Sequence, residues 1–101
     1  MIARIWHGKT HIDDLERYSE FLKEVAIPDY KGTPGNKGCT FLRRTEKNEA
    51  HFTLITYWGT IESIKAFAGN NYQKAKYYPE DKQFLLEFED EVIHYEVFKK
   101  A

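Results

Sequence analysis

The stretch HFTLITYWGT, residues 51–60, carries the reading that decides the fold. From His51 to Trp58 the side chains alternate as in a β-strand, where neighbours point to opposite faces. Phe52, Leu54 and Trp58 lie on one side, and Ile55 and Tyr57 on the other. Large apolar groups on both sides mean that something covers each face. Thr60 then caps a helix with Ile61, Ile64, Phe67 and Ala68 turned inward, and Gly69 ends it.

Working back from this stretch, residues 39–45 form its partner strand, and Glu46–Ala50 make the hairpin turn. The glycine- and proline-containing loop 30–38 precedes them. Before it, Leu15, Tyr18, Leu22 and Val25 recur at helical spacing and make one apolar stripe. Thr10 is the expected N-cap of that helix, Asp13 and Arg17 an i, i+4 pair on its wet side, and Pro28 its end. Residues 2–7 read as the first strand, with Ile2, Arg4 and Trp6 opposite Ala3, Ile5 and His7. Arg4 could counter an anionic substrate, but it is expected first to pair across the sheet with a carboxylate such as Glu96.

Working forward, residues 71–77 suggest a helical turn, Pro79 opens an irregular segment, and Glu91–Phe98 form the last strand. There Val92 and Phe98 oppose Ile93, Tyr95 and Val97. The order β-α-β-β-α-β predicts an α+β, ferredoxin-like sandwich. Right-handed crossovers place both helices on one face of a four-stranded antiparallel sheet. The single domain spans residues 1–101. Its other face would be polar if it met water, and it is not. A second copy of the chain is the simplest cover, so a homodimer is expected.

Composition narrows the function. Fifteen basic residues balance sixteen acidic ones, for a formal charge of −1, and no basic stripe stands out. Nucleic acid is therefore not an expected partner. The one cysteine, Cys39, allows no internal disulfide and suits a reducing compartment. The N-terminus is interrupted by Arg4 too early for a signal peptide, and no apolar run is long enough to span a membrane. The expectation is a cytoplasmic protein without a membrane partner. Aromatic residues at 16% of the chain must line a core, a pocket or an interface.

Few residues can carry chemistry. His7 and His11 straddle a strand end, and Cys39, His51 and His94 have no metal-ligand spacing, so no metal site is expected. No glycine loop leads into a helix with a Lys-Ser/Thr, which removes the usual phosphate cradle. His94 can take a proton near neutral pH and is a candidate general base, against the plainer reading of a structural histidine. Trp58 can stack on a flat ligand, or simply fill the core. Tyr77 and Tyr78 diverge on a turn, so one can offer its hydroxyl to a pocket while the other packs. Trp6 and Phe67 are further candidates for an aromatic wall.

The order of elements, the strand ending in Tyr57-Trp58 before a capped helix, and His94-Tyr95 in the terminal strand resemble the antibiotic biosynthesis monooxygenase family. This family belongs to the dimeric α/β-barrel superfamily, and the resemblance covers roughly residues 2–98. The run Tyr77-Tyr78-Pro79-Glu80-Asp81 and the loop Thr33–Gly38 are similar to those of an uncharacterised branch. The resemblance implies two protomers packed sheet to sheet, each with a pocket between its own helices and sheet. It also implies cofactor-free oxygenation of aromatic substrates or, in another branch, haem breakdown. Trp58 matches the family's pocket tryptophan. The haem-degrading branch has a histidine downstream of that tryptophan, and here none lies between Trp58 and His94. It also has an asparagine at the end of the first strand, where this chain has Trp6-His7.

The expected function is thus a cofactor-independent, monooxygenase-like enzyme acting on a small hydrophobic aromatic substrate. His94 and Tyr78 would be its catalytic groups, and Trp58, Tyr77, Trp6 and Phe67 would hold the substrate. The second reading is a non-catalytic dimeric protein that binds a small ligand, and the third is haem breakdown.

Overall fold

A computed structural model describes all of residues 1–101. Its strands are β1 (Ile2–His11), β2 (Asn36–Glu46), β3 (Glu49–Trp58) and β4 (Ile93–Glu96). They form one antiparallel sheet in the order β2-β3-β1-β4. The helical elements between β1 and β2, and α3 (Ile61–Ala68) after β3, supply the two crossovers. This is the ferredoxin-like α+β arrangement.

The sheet's register explains its two-sidedness. Arg4, Trp6, Gly8 and Thr10 of β1 stand beside Thr56, Leu54, Phe52 and Ala50 of β3, and all eight are buried under the helices. Trp6, Tyr18, Leu22, Ala26, Tyr30, Phe52, Leu54, Trp58, Ile64 and Phe67 belong to the one core there. On the other face Ile5 lies beside Ile55 and Ile93, while Ala3 lies beside Tyr57 and Tyr95. Ile93 is 58% exposed and Tyr95 53%. These residues leave an apolar face with no helix over it.

Several elements depart from expectation, each for a local reason. Thr10 does not cap a helix. β1 runs on to His11, and the His11 imidazole instead accepts the Asp13 backbone N–H at 3.2 Å. Asp14, not Asp13, pairs with Arg17, at 2.9 Å and i, i+3 spacing. Pro28 does not end the first helix. α1 (Leu15–Phe21) widens into a π-helical turn at Leu22–Ala26, and α2 (Ile27–Gly32) follows without a break. A proline ring ordinarily collides with the carbonyl four residues back. The wider turn, in which Ile27 donates to Leu22 O, relieves that crowding just before Pro28.

The hairpin turn shrinks to Lys47-Asn48, with Lys47 at φ 56°. Residues 71–77 are not helical. They form a turn and then an extended strap, bridged at Lys74 to Glu91. The last strand is correspondingly short. Thr60 does cap α3, in a reciprocal box with Ser63, and Gly69 ends that helix at φ 91°. No helix is long and apolar enough to cross a membrane.

Candidate functional site

The strap from Ala75 to Tyr78 closes one end of the helix-covered core. Beneath it lies a cavity of about 10 Å³, walled by Trp6 and Leu54 of the sheet, Tyr18, Leu22, Ala26 and Tyr30 of the helices, and Lys76, Tyr78 and Asp81. This is room for about one water. The π-helical turn supplies Leu22 and Ala26, so the local widening before Pro28 shapes part of the wall.

Asp81 is the polar centre of this wall. Pro79 opens a 3₁₀ turn, Pro79–Gln83, and so places Asp81 at its third position, where the carboxylate accepts the Tyr78 backbone N–H at 2.7 Å. Its other oxygen accepts the Tyr18 hydroxyl at 2.8 Å. The residue is only 2% exposed, and no cation pairs with it. Burial pushes its carboxyl above the ordinary carboxylate range, although both hydrogen bonds pull the other way. The Tyr18 hydroxyl is driven far up by burial and by Asp81, so it stays a donor.

Asp29 of α2 holds the strap shut. One of its oxygens accepts the Tyr78 hydroxyl at 2.7 Å and the Lys76 ammonium at 3.0 Å. Lys76 also sits 4.2 Å above the Phe67 ring. Partial burial favours the neutral form of Asp29, but the two donors outweigh it and hold its carboxyl below the usual range.

The six candidate residues do not converge on one point. Trp6 and Tyr78 line the cavity. The Trp6 indole N–H is buried and directed toward the Tyr77 hydroxyl, without a well-formed hydrogen bond. Tyr77 meets the Trp6 ring edge-on, with centroids 6.2 Å apart, and its hydroxyl donates to Glu89 O at 2.6 Å. Trp58 is fully buried, packs against Phe67 at 5.5 Å, and donates to the Thr56 hydroxyl at 2.9 Å. Trp58 and Phe67 therefore stand behind the cavity wall, linked to it through Tyr30, whose ring is 4.8 Å from Phe67.

His94 does not line this cavity. It lies on the edge strand, with its ring against Tyr72 at 5.2 Å and Nε2 3.3 Å from the Arg4 guanidinium. Arg4 does not pair with Glu96. It is buried and donates to Tyr72 O and Lys74 O at 2.5 and 3.1 Å, because the turn that precedes the strap brings those carbonyls over it. Burial and the neighbouring guanidinium both lower the His94 pKa.

Asp81 and Tyr18 escaped sequence reasoning as site residues. The one local sign for Asp81 is the Tyr78-Pro79-Glu80-Asp81 turn, with a carboxylate three positions after the cap. Its burial comes from tertiary closure and has no sequence signature.

No family model matches the chain, and no curated protein matches it closely. Solved structures do. A candidate antibiotic biosynthesis monooxygenase from Nitrosomonas europaea is 16% identical with a TM-score of 0.69, over 98% of this chain and 100% of that one. A variant of MhuD with two manganese protoporphyrin IX molecules bound per active site is also 16% identical. Its TM-score is 0.63, over 100% of this chain and 98% of that one. At this identity the likeness is one of architecture, and the chain has the fold of the antibiotic biosynthesis monooxygenases.

Proposed function

We propose that the chain is a monooxygenase-like enzyme acting without a bound cofactor on a small hydrophobic aromatic substrate, with Asp81 as its base. The observation that carries this reading is Asp81 itself. A carboxyl buried in an aromatic wall with no cation beside it, held only by the Tyr18 hydroxyl and the Tyr78 N–H, marks a candidate functional group. Hydrogen-bonded to Tyr18 and raised above the usual range, it is poised to accept a proton.

The chemistry balances without a further reductant. Asp81 removes a proton from an acidic C–H flanked by aromatic rings. The resulting anion gives its electrons to dioxygen, one oxygen atom stays in the product as a carbonyl, and the other leaves as water with both hydrogens. Trp6 and Tyr78 would hold the ring, with Trp58, Phe67 and Tyr77 bracing them. His94 would act only on groups that reach the edge strand.

A ring needs far more space than the closed cavity offers; a cavity that takes benzene measures about 150 Å³. Substrate entry therefore requires the Ala75–Tyr78 strap to lift from Asp29. A homodimer built on the apolar sheet face is part of the same proposal and leaves this cavity accessible from the strap side.

The second reading, a non-catalytic dimeric binding protein, uses the same cavity. Haem breakdown fits less well: the cavity wall carries no imidazole or thiolate for iron, and its one amine is engaged by Asp29. An oxygen electrode with a panel of anthrones and quinols separates these readings. Uptake of one dioxygen per substrate supports the enzyme. Saturable binding without uptake supports the binding protein, and a Soret shift on adding haemin revives the third.

A further inference from the structure

The open face of the sheet carries a second polar constellation, across the sheet from the cavity. His7 of β1 and His51 of β3 meet nitrogen to nitrogen, with Nε2 of His7 3.2 Å from Nδ1 of His51. Their rings are 25° from parallel. The chain continues at both ends. His7 Nδ1 is 2.6 Å from Glu89 Oε2, and His51 Nε2 is 3.4 Å from Glu49 Oε1. The His51 Nε2 atom is buried and makes no hydrogen bond despite that neighbour.

A proton count shows what this chain wants. It has three contacts, and each needs one N–H: toward Glu89, between the rings, and toward Glu49. Two neutral imidazoles supply only two. With His7 Nδ1–H pointing at Glu89, His7 Nε2 must accept from His51 Nδ1–H. A bare lone pair on His51 Nε2 then faces the Glu49 carboxylate. This is the contact found close but unbonded. One added proton fills it. A second added proton would set two N–H groups against each other between the rings.

We propose that His7 and His51 form a single-proton site, a charge switch at the centre of the open sheet face. Its surroundings are mixed in sign. Lys9 on β1 contacts both Glu49 and Glu87, at 3.4 and 3.7 Å. From β2, Arg43 and Arg44 border the two rings. Glu46 and Lys47 lie beside His51 at the hairpin. Uptake of the proton joins β1, β3 and the Glu89 segment in one continuous hydrogen-bonded chain. It also adds a positive charge near Leu42, an exposed apolar residue of the open face that Arg43 and Arg44 already flank. The site stands apart from the proposed enzyme chemistry and does not depend on it.

The test is ¹⁵N NMR of the four ring nitrogens in the intact chain, over about pH 5 to 8, where histidine charge ordinarily changes. The expected result is one proton taken up by the pair in total, with both neutral rings protonated at Nδ1 beforehand. Uptake of two protons, or of none, overturns the proposal. A second arm uses Glu49→Gln, a surface change that leaves the core untouched. It removes the carboxylate that receives the third N–H, so uptake is expected to move to lower pH. An unchanged profile overturns the proposal as well.

Discussion

Arg4 and His94 face each other across the β1–β4 pair, with a guanidinium nitrogen 3.3 Å from the imidazole Nε2. A guanidinium only donates, so His94 Nε2 must accept, and the ring is held neutral with its proton on Nδ1. The pair fixes the edge strand beneath the strap, because the same guanidinium also holds the Tyr72 and Lys74 carbonyls.

Stability should therefore fall as the solution turns acidic. The His94 pKa is lowered from its ordinary 6.5 in the folded chain. Below that value the unfolded chain takes up a proton that the folded chain resists, so this contribution is present above about pH 6.5 and is lost as pH falls. His94→Gln keeps an acceptor for Arg4 but cannot titrate. Urea unfolding across this range should show a flatter pH dependence for the variant, and equal slopes would refute the assignment.

Gly8 should tolerate no side chain. A Cβ there would lie 2.2 Å from the far edge of the Trp6 indole and 2.6 Å from its next carbon. Gly8→Ala must displace Trp6 from the cavity wall, at about 1–3 kcal/mol for overpacking. Thermal unfolding reads the loss, and a shifted tryptophan emission would show that the indole has moved.

The strap should open more readily when its latch is weakened. Tyr78→Phe removes the hydroxyl bond to Asp29 and leaves the Lys76 pair in place. One such bond contributes about 1–1.5 kcal/mol, so amide exchange over residues 75–78 should speed up about five- to thirteenfold. The latch should also fail in acid. Asp29 has a depressed pKa, so its contribution is present above its unfolded value of 3.8 and is lost as pH falls through the folded one.

Much of the architecture was legible because it rests on local patterns. The alternation in residues 51–58 and the Thr60 cap located β3 and α3, and the two-sided apolar strands marked the open face. Thr10 and Pro28 misled for the same physical reason: tertiary packing overrode local punctuation. Thr10 is extended because its strand continues along β3, and Pro28 sits inside a helix because the preceding turn widens. The site was less legible. Trp6 and Tyr78 could be singled out as aromatic candidates, but Asp81 becomes notable only when Tyr18, 63 positions away, reaches its carboxylate.

Asp81 is proposed as the working base of an aromatic site beneath the strap. Its most direct test is to mix anthrone with the protein in the absence of oxygen and record the spectrum of the coloured anion. The wild-type chain should generate the anion. Asp81→Asn, which still offers an oxygen to Tyr18, should form it at least about a hundredfold more slowly, the usual scale of general-base catalysis. Anion formation by the folded Asn variant at the wild-type rate, or none by the wild-type protein, would contradict the account.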